Sequence, residues 1–167
     1  MSRLLVILLT ASLTFLSPIL QAEEQPMLIS IKRLSMESAL RIARASIKEC
    51  RKQGVQVAVT VIDRGGNTQV VLRDVLAPDI TLKISFQKAY TAMAFNTATS
   101  KLKSRFSHPF SVPKVQGLLI AEGGVPITVG GTLLGGVGVS GAPSGKIDEK
   151  CAKAGFDAVS GDLELAE

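Results

Sequence analysis

The sequence has no tryptophan, one tyrosine, one histidine and two cysteines. Three Cys and His residues in all cannot supply the four ligands of a structural zinc site. Aromatics make up 4% of the chain, and the basic excess, 19 Lys and Arg against 14 Asp and Glu, is spread along it. A nucleic-acid surface sets aromatics within a basic stripe, so no nucleic-acid partner is expected. No period recurs, which excludes repeat, collagen-like and coiled-coil architectures. No elbow motif marks a serine that could partner the single imidazole, and neither cysteine carries the signature of an activated thiolate. No catalytic residue is assigned. What is there, 46% hydrophobic and 20% charged residues over 167 positions with a net charge of +5, describes one globular domain suited to a small ligand.

The first segment reads differently from the rest. Arg3 gives a positive start, residues 4–16 are almost wholly apolar, Pro18 breaks the run, and Leu20-Gln21-Ala22 precedes Glu23-Glu24. This is the three-part layout of a secretory signal peptide over residues 1–22. The run is shorter than the roughly 20 apolar residues of a permanent span, although an uncleaved anchor is the alternative. Cleavage predicts a periplasmic or secreted protein with no stable membrane anchor. Residues 23–33 then form an N-terminal extension, 34–160 the domain and 161–167 a C-terminal tail. In an oxidising compartment Cys50 and Cys151 either form a disulfide or remain two separately buried thiols.

Ser35 predicts a helix cap, followed by Met36, Ala39, Leu40, Ala43, Ile47 and Cys50 at the spacing of one buried stripe. Residues 55–62 are nearly continuous in β-branched and apolar side chains, the pattern of a strand covered on both faces. Asp63-Arg64-Gly65-Gly66-Asn67 is a turn, and residues 68–73 complete an antiparallel hairpin. Pro78-Asp79 opens a helix through about Asn96, and residues 99–105 predict a shorter one. Ten of the 15 glycines then fall between Gly117 and Gly145. Three short strands are expected among them, at 118–121, 126–129 and 132–140, before a final helix at 147–160 with Asp148 and Glu149 favourably placed in its first turn. The fold class is α+β, with helices on both faces of a five-stranded, mainly antiparallel sheet.

Two glycine motifs invite a nucleotide reading and fail it. Gly136-Val137-Gly138-Val139-Ser140-Gly141 spells a dinucleotide fingerprint, but no βαβ unit and no acid-tipped strand follow. The phosphate-loop-like Gly141 to Lys146 is one residue short and has Ile147 where Ser or Thr is required. His108 lies between Phe106 and Phe110 in a region that also holds Lys101, Lys103, Arg105 and Lys114. An imidazole for iron, aromatic faces for a flat macrocycle and cations for its propionates are the parts of a haem site. The same residues also fit a surface loop whose phenylalanines fold onto the core. Tyr90 and Met93 are further iron donors by chemistry and core residues by spacing.

Four segments in order resemble one family: residues 59–67, residues 85–92 (including Lys88-Ala89-Tyr90-Thr91), Gly123-Gly124-Val125-Pro126-Ile127, and residues 135–141. Together they resemble the GlcG/HbpS-like family of haem-binding proteins, related to the C-terminal domain of PduO-type proteins, over residues 34–160. The resemblance implies a profilin-like three-layer α/β/α sandwich, homo-oligomers, and tetrapyrrole or other small-ligand binding in some members. Lys88 and Thr91 then supply polar groups beside Tyr90, and Gly123 and Gly124 let the backbone approach a cleft. Residues 101–113 do not align with the family pattern, so a role for His108 rests on its chemistry. The expected function is binding of haem or a related tetrapyrrole, with iron on His108 or Tyr90. The alternatives are an enzyme or metabolite-handling protein acting on a small organic acid, held between Lys88, Arg64 and the Gly123-Gly124 amides, and an oligomeric scaffold without a ligand.

Overall fold

The computed structural model describes residues 26–106 and 115–166. The expected signal peptide lies outside the described residues, as do His108 and Phe110. Residues 26–30 form neither helix nor strand, and the domain begins at Ile31.

Helix α1 (Met36–Lys52) starts where Ser35 Oγ accepts the Ser38 N–H at 3.1 Å, and it buries Ala39, Ile42, Ala43, Ile47 and Cys50. Strand β1 (Ala58–Asp63) is buried at every position, as its nearly continuous run of β-branched and apolar residues predicts. The turn into β2 (Thr68–Arg73) is held by Asp63, whose Oδ1 accepts the N–H groups of Gly65 at 2.8 Å and Asn67 at 2.9 Å. Helix α2 (Ile80–Ala94) leads into two short 3-10 turns, Thr99–Leu102 and Ser104–Phe106. Strands β3 (Gly124–Val129) and β4 (Thr132–Ser140) and helix α3 (Gly145–Leu165) complete the chain.

All strand pairs are antiparallel, in the order β2-β1-β4-β3. Val59, Val61, Val137 and Val139 pack with α1 and α3 in the main core, while Ile62 packs with Ala89 and Met93 of α2 on the other face. The sheet is therefore sandwiched between two helical layers. Cys50 and Cys151, both fully buried, are disulfide-bonded with Cα atoms 5.5 Å apart, tying α1 to α3.

The Gly-Val alternation of β4 is the key to the second layer. Val137 and Val139 face α1 and α3, and Gly136 and Gly138 face α2. A Cβ at Gly138 would strike the Ser85 carbonyl oxygen and lie 2.5 Å from the Ala89 amide nitrogen; at Gly136 it would lie 2.6 Å from the Ala89 carbonyl oxygen. The apparent nucleotide fingerprint is thus a slot into which the α2 backbone settles.

Among the described residues the sheet has four strands, so the expectation of five is corrected. Residues 118–121 join no ladder among the described residues. The Leu119 N–H goes instead to Thr91 Oγ1 at 2.8 Å, and the Leu118 N–H closes a turn on Val115. A side-chain acceptor on α2 satisfies the backbone that a strand neighbour would otherwise satisfy. Helix α3 also begins earlier than 147 and runs past Gly161 to Leu165.

Candidate functional site

One end of the sheet opens into a cleft of about 740 Å³. Ile84, Leu119, Ile120 and Ala121 form apolar wall, and Lys103 adds a cation. The floor carries an ion pair. Lys88 Nζ donates to Asp148 Oδ2 at 2.7 Å and to the Val139 carbonyl at 3.0 Å, and both side chains are at most 5% exposed. Asp148 Oδ1 accepts the Ala142 N–H at 3.0 Å, so one carboxylate fixes α2, the end of β4 and the first turn of α3 together. Burial raises the Asp148 carboxyl above its ordinary value, and the Lys88 ammonium and the N–H groups of Ala142 and Gly141 offset this only in part.

The rim is pinned by side-chain acceptors. Glu149 accepts the Ser100 N–H at 3.1 Å, the Ser100 hydroxyl at 2.5 Å and the Gly123 N–H at 3.3 Å. Thr99 Oγ1 accepts the Gly124 N–H at 2.9 Å. Gly123 adopts φ +125°, and a Cβ there would lie 2.8 Å from both Lys88 Nζ and the Val139 carbonyl oxygen.

The residues singled out in the sequence divide into separate places. Lys88 lines the cleft, Gly123 and Gly124 sit against it, and Thr91 holds the Leu119 wall. Arg64 and Tyr90 belong to the other end of the sheet. Arg64 is exposed in the hairpin turn after Asp63, whose partner on β4 is Gly135, while Lys88 binds Val139, four positions further along. At about 3.3 Å per residue that is roughly 13 Å along the strand. The Tyr90 ring packs on Gly66 and on Phe86, with ring centroids 6.2 Å apart. Phe106 sets its ring edge-on to Phe95 at 4.9 Å. His108 and Phe110 lie outside the described residues.

An organic anion held by Lys88, Arg64 and the paired glycine amides does not fit this geometry. The two cations stand at opposite ends, Lys88 is neutralised by Asp148, and both glycine N–H groups already have acceptors. Asp148 and Glu149 escaped the sequence reading as anything beyond first-turn acids favourable to the helix dipole. Their partners are dozens of residues away, and no local pattern signals them.

Residues 34–157 match the family described as "Haem degrading protein HbpS-like". Protein GlcG of Escherichia coli K12 is 36% identical over 109 residues, covering 64% of this chain and 81% of that protein. Among solved structures, a double mutant of HbpS from Streptomyces reticuli superposes with a TM-score of 0.77 at 37% identity, covering 83% of this chain and 94% of that one. A structure described as the PduOC:heme complex gives 0.68 at 28% identity, covering 76% and 95%.

Proposed function

The chain belongs to the HbpS-like family, and from that premise we propose that it binds haem or a related tetrapyrrole in the cleft beside Lys88, within a profilin-like frame. The observation that carries the reading is the cleft itself. Its volume of about 740 Å³, apolar Ile84, Leu119 and Ile120, and the cationic Lys103 suit a flat macrocycle with acidic edges. The PduOC:heme complex, on a similar fold, supports the same ligand class.

The proposed iron ligand is His108. It lies in the chain between Lys103 and Leu119, which both line the cleft. Lys88 is engaged by Asp148, and Tyr90 is packed against the far hairpin, so neither is the better donor. Bound haem would supply a redox-active iron, with Lys103 meeting a propionate and the apolar wall excluding water from one macrocycle face. The protein is further proposed to be exported to the periplasm or medium after loss of residues 1–22, and to assemble as a homo-oligomer.

Titration of the purified protein with haemin tests the ligand. A saturable shift of the Soret band is expected, and a merely linear rise in absorbance would refute the reading. A shift unchanged in His108→Ala would acquit that residue alone. Cell fractionation and light scattering test the location and the assembly.

A further inference from the structure

A second cleft, of about 460 Å³, lies between α1 and the edge strand β2, away from the Lys88 cleft. Its floor is Ile47 and Leu72, and four basic side chains, Arg44, Lys48, Arg51 and Arg73, surround it. The only acid in its wall among the described residues, Asp74, is 3% exposed and already engaged. It accepts from Arg51 Nε at 2.9 Å, from Arg51 Nη2 and from the Val57 N–H at 3.3 Å. That anchor fixes the Arg51 guanidinium while leaving the side chain 64% exposed. Arg73 is fixed from the other side by the Ala77 carbonyl at 2.5 Å and by Asp79 at 2.9 Å. Arg44 and Lys48, one helical turn apart on α1, pair with no acid among the described residues.

We propose that this cleft binds a small, multiply charged anion carrying phosphate or carboxylate groups. Two held guanidiniums match the planar, bidentate recognition of such groups. The two uncompensated cations supply the net attraction, and the apolar floor lowers the local dielectric. A single chloride-sized ion would leave most of the ring of donors unused. The proposal is independent of haem binding, since it shares no lining residue with the first cleft.

Isothermal titration with pyrophosphate and with citrate is the test, the two probes separating phosphate from carboxylate preference. Saturable binding of at least one is expected, weakened by about tenfold or more in Arg44→Ala/Lys48→Ala, each lost charged hydrogen bond being a factor of that order. Lys83→Ala/Lys153→Ala removes equal charge from exposed positions elsewhere and should leave affinity unchanged. An equal loss in that control would reduce the effect to net charge and overturn the site. So would no saturable binding of either probe, or sedimentation with phosphatidylserine vesicles in place of small-anion binding. Haemin titration of Arg44→Ala/Lys48→Ala should match the parent protein, which keeps the two sites' outcomes distinguishable.

Discussion

Lys88 Nζ lies 2.7 Å from Asp148 Oδ2, and neither side chain is more than 5% exposed. The pair spans 60 positions of sequence and joins the middle of α2 to the first turn of α3 at the floor of the cleft. A buried ion pair of this kind adds little over two apolar residues, but breaking one partner strands the other charge in a dry setting. Its role here is to fix three elements relative to one another, since Lys88 also holds the Val139 carbonyl and Asp148 the Ala142 N–H.

Lys88→Met should therefore lower unfolding stability by about 3 kcal/mol, the scale for an orphaned buried charge. Lys88→Met/Asp148→Asn should recover much of that loss, because the amide oxygen still accepts from Ala142 without a charge. Urea denaturation of the single and double variants checks this. A double variant no more stable than Lys88→Met would mean that the charge is not what the lysine compensates.

The slot for α2 gives a paired prediction. Gly138→Ala places a methyl group onto the Ser85 carbonyl oxygen, so α2 must lift from the sheet, at a penalty of about 2 kcal/mol or more. Gly161→Ala lies within α3 with nothing inside 4 Å of the added carbon. It should stabilise by about 0.5–1 kcal/mol through helix propensity alone. Thermal melts of the two variants should move in opposite directions, and a shared direction would contradict the packing.

The disulfide closes a loop with a sequence separation of 101, which in the chain-entropy view contributes about 4–5 kcal/mol. Cys50→Ala/Cys151→Ala should lose most of that in chemical denaturation. Both cysteines are fully buried, so dithiothreitol should reduce the native protein only as fast as it opens. Rapid reduction of the folded protein, followed by mass spectrometry of alkylated thiols, would show that the bond is reached by another route.

The layers were legible where a local pattern has one physical reading. The stripe on α1 pointed to the burial of Ala39, Ala43, Ile47 and Cys50, although its Met36 is exposed and Ile42, outside it, is fully buried. The nearly continuous β-branched and apolar run of β1 pointed to a strand covered on both faces. The Gly-Val alternation of β4 was equally visible, yet its meaning depends on α2 lying across it, which no short-range pattern encodes. Residues 118–121 have strand composition, but the Leu119 N–H finds Thr91 before it finds a neighbouring strand. The cleft was the least legible part. Lys88 was recognisable, whereas Asp148 and Glu149 looked like ordinary helix-start acids because their partners are distant in sequence.

Asp63 sets an acid limit on stability. Burial alone would raise its carboxyl, but hydrogen bonds from Asn67 and Gly65, with the Arg33 charge beside it, outweigh that and hold it below the ordinary 3.8. The unfolded chain then takes up the proton first, so this stabilisation is present above the ordinary value and lost as pH falls through the folded one. Arg33 is 55% exposed and contributes little of it. Asp63→Asn should be less stable at neutral pH by about 1–2 kcal/mol, with the gap closing as the parent is acidified to about pH 2. Denaturation midpoints across that range check the sign, and a gap independent of pH would assign the effect to packing.

The cleft itself can be closed. Ala121 is part of its wall and lies outside every helix and strand, so Ala121→Trp adds bulk to the cavity without interrupting a ladder or a helix. If the tetrapyrrole occupies this space, the variant should retain its circular dichroism and melting temperature yet lose the saturable Soret shift. Ala121→Ser, of nearly the original size, should keep it. The comparison separates steric exclusion from a chemical change at the wall, because only the large side chain removes volume. A tryptophan variant that still takes haemin with parental affinity would put the ligand somewhere other than beside Lys88, whatever the fate of His108.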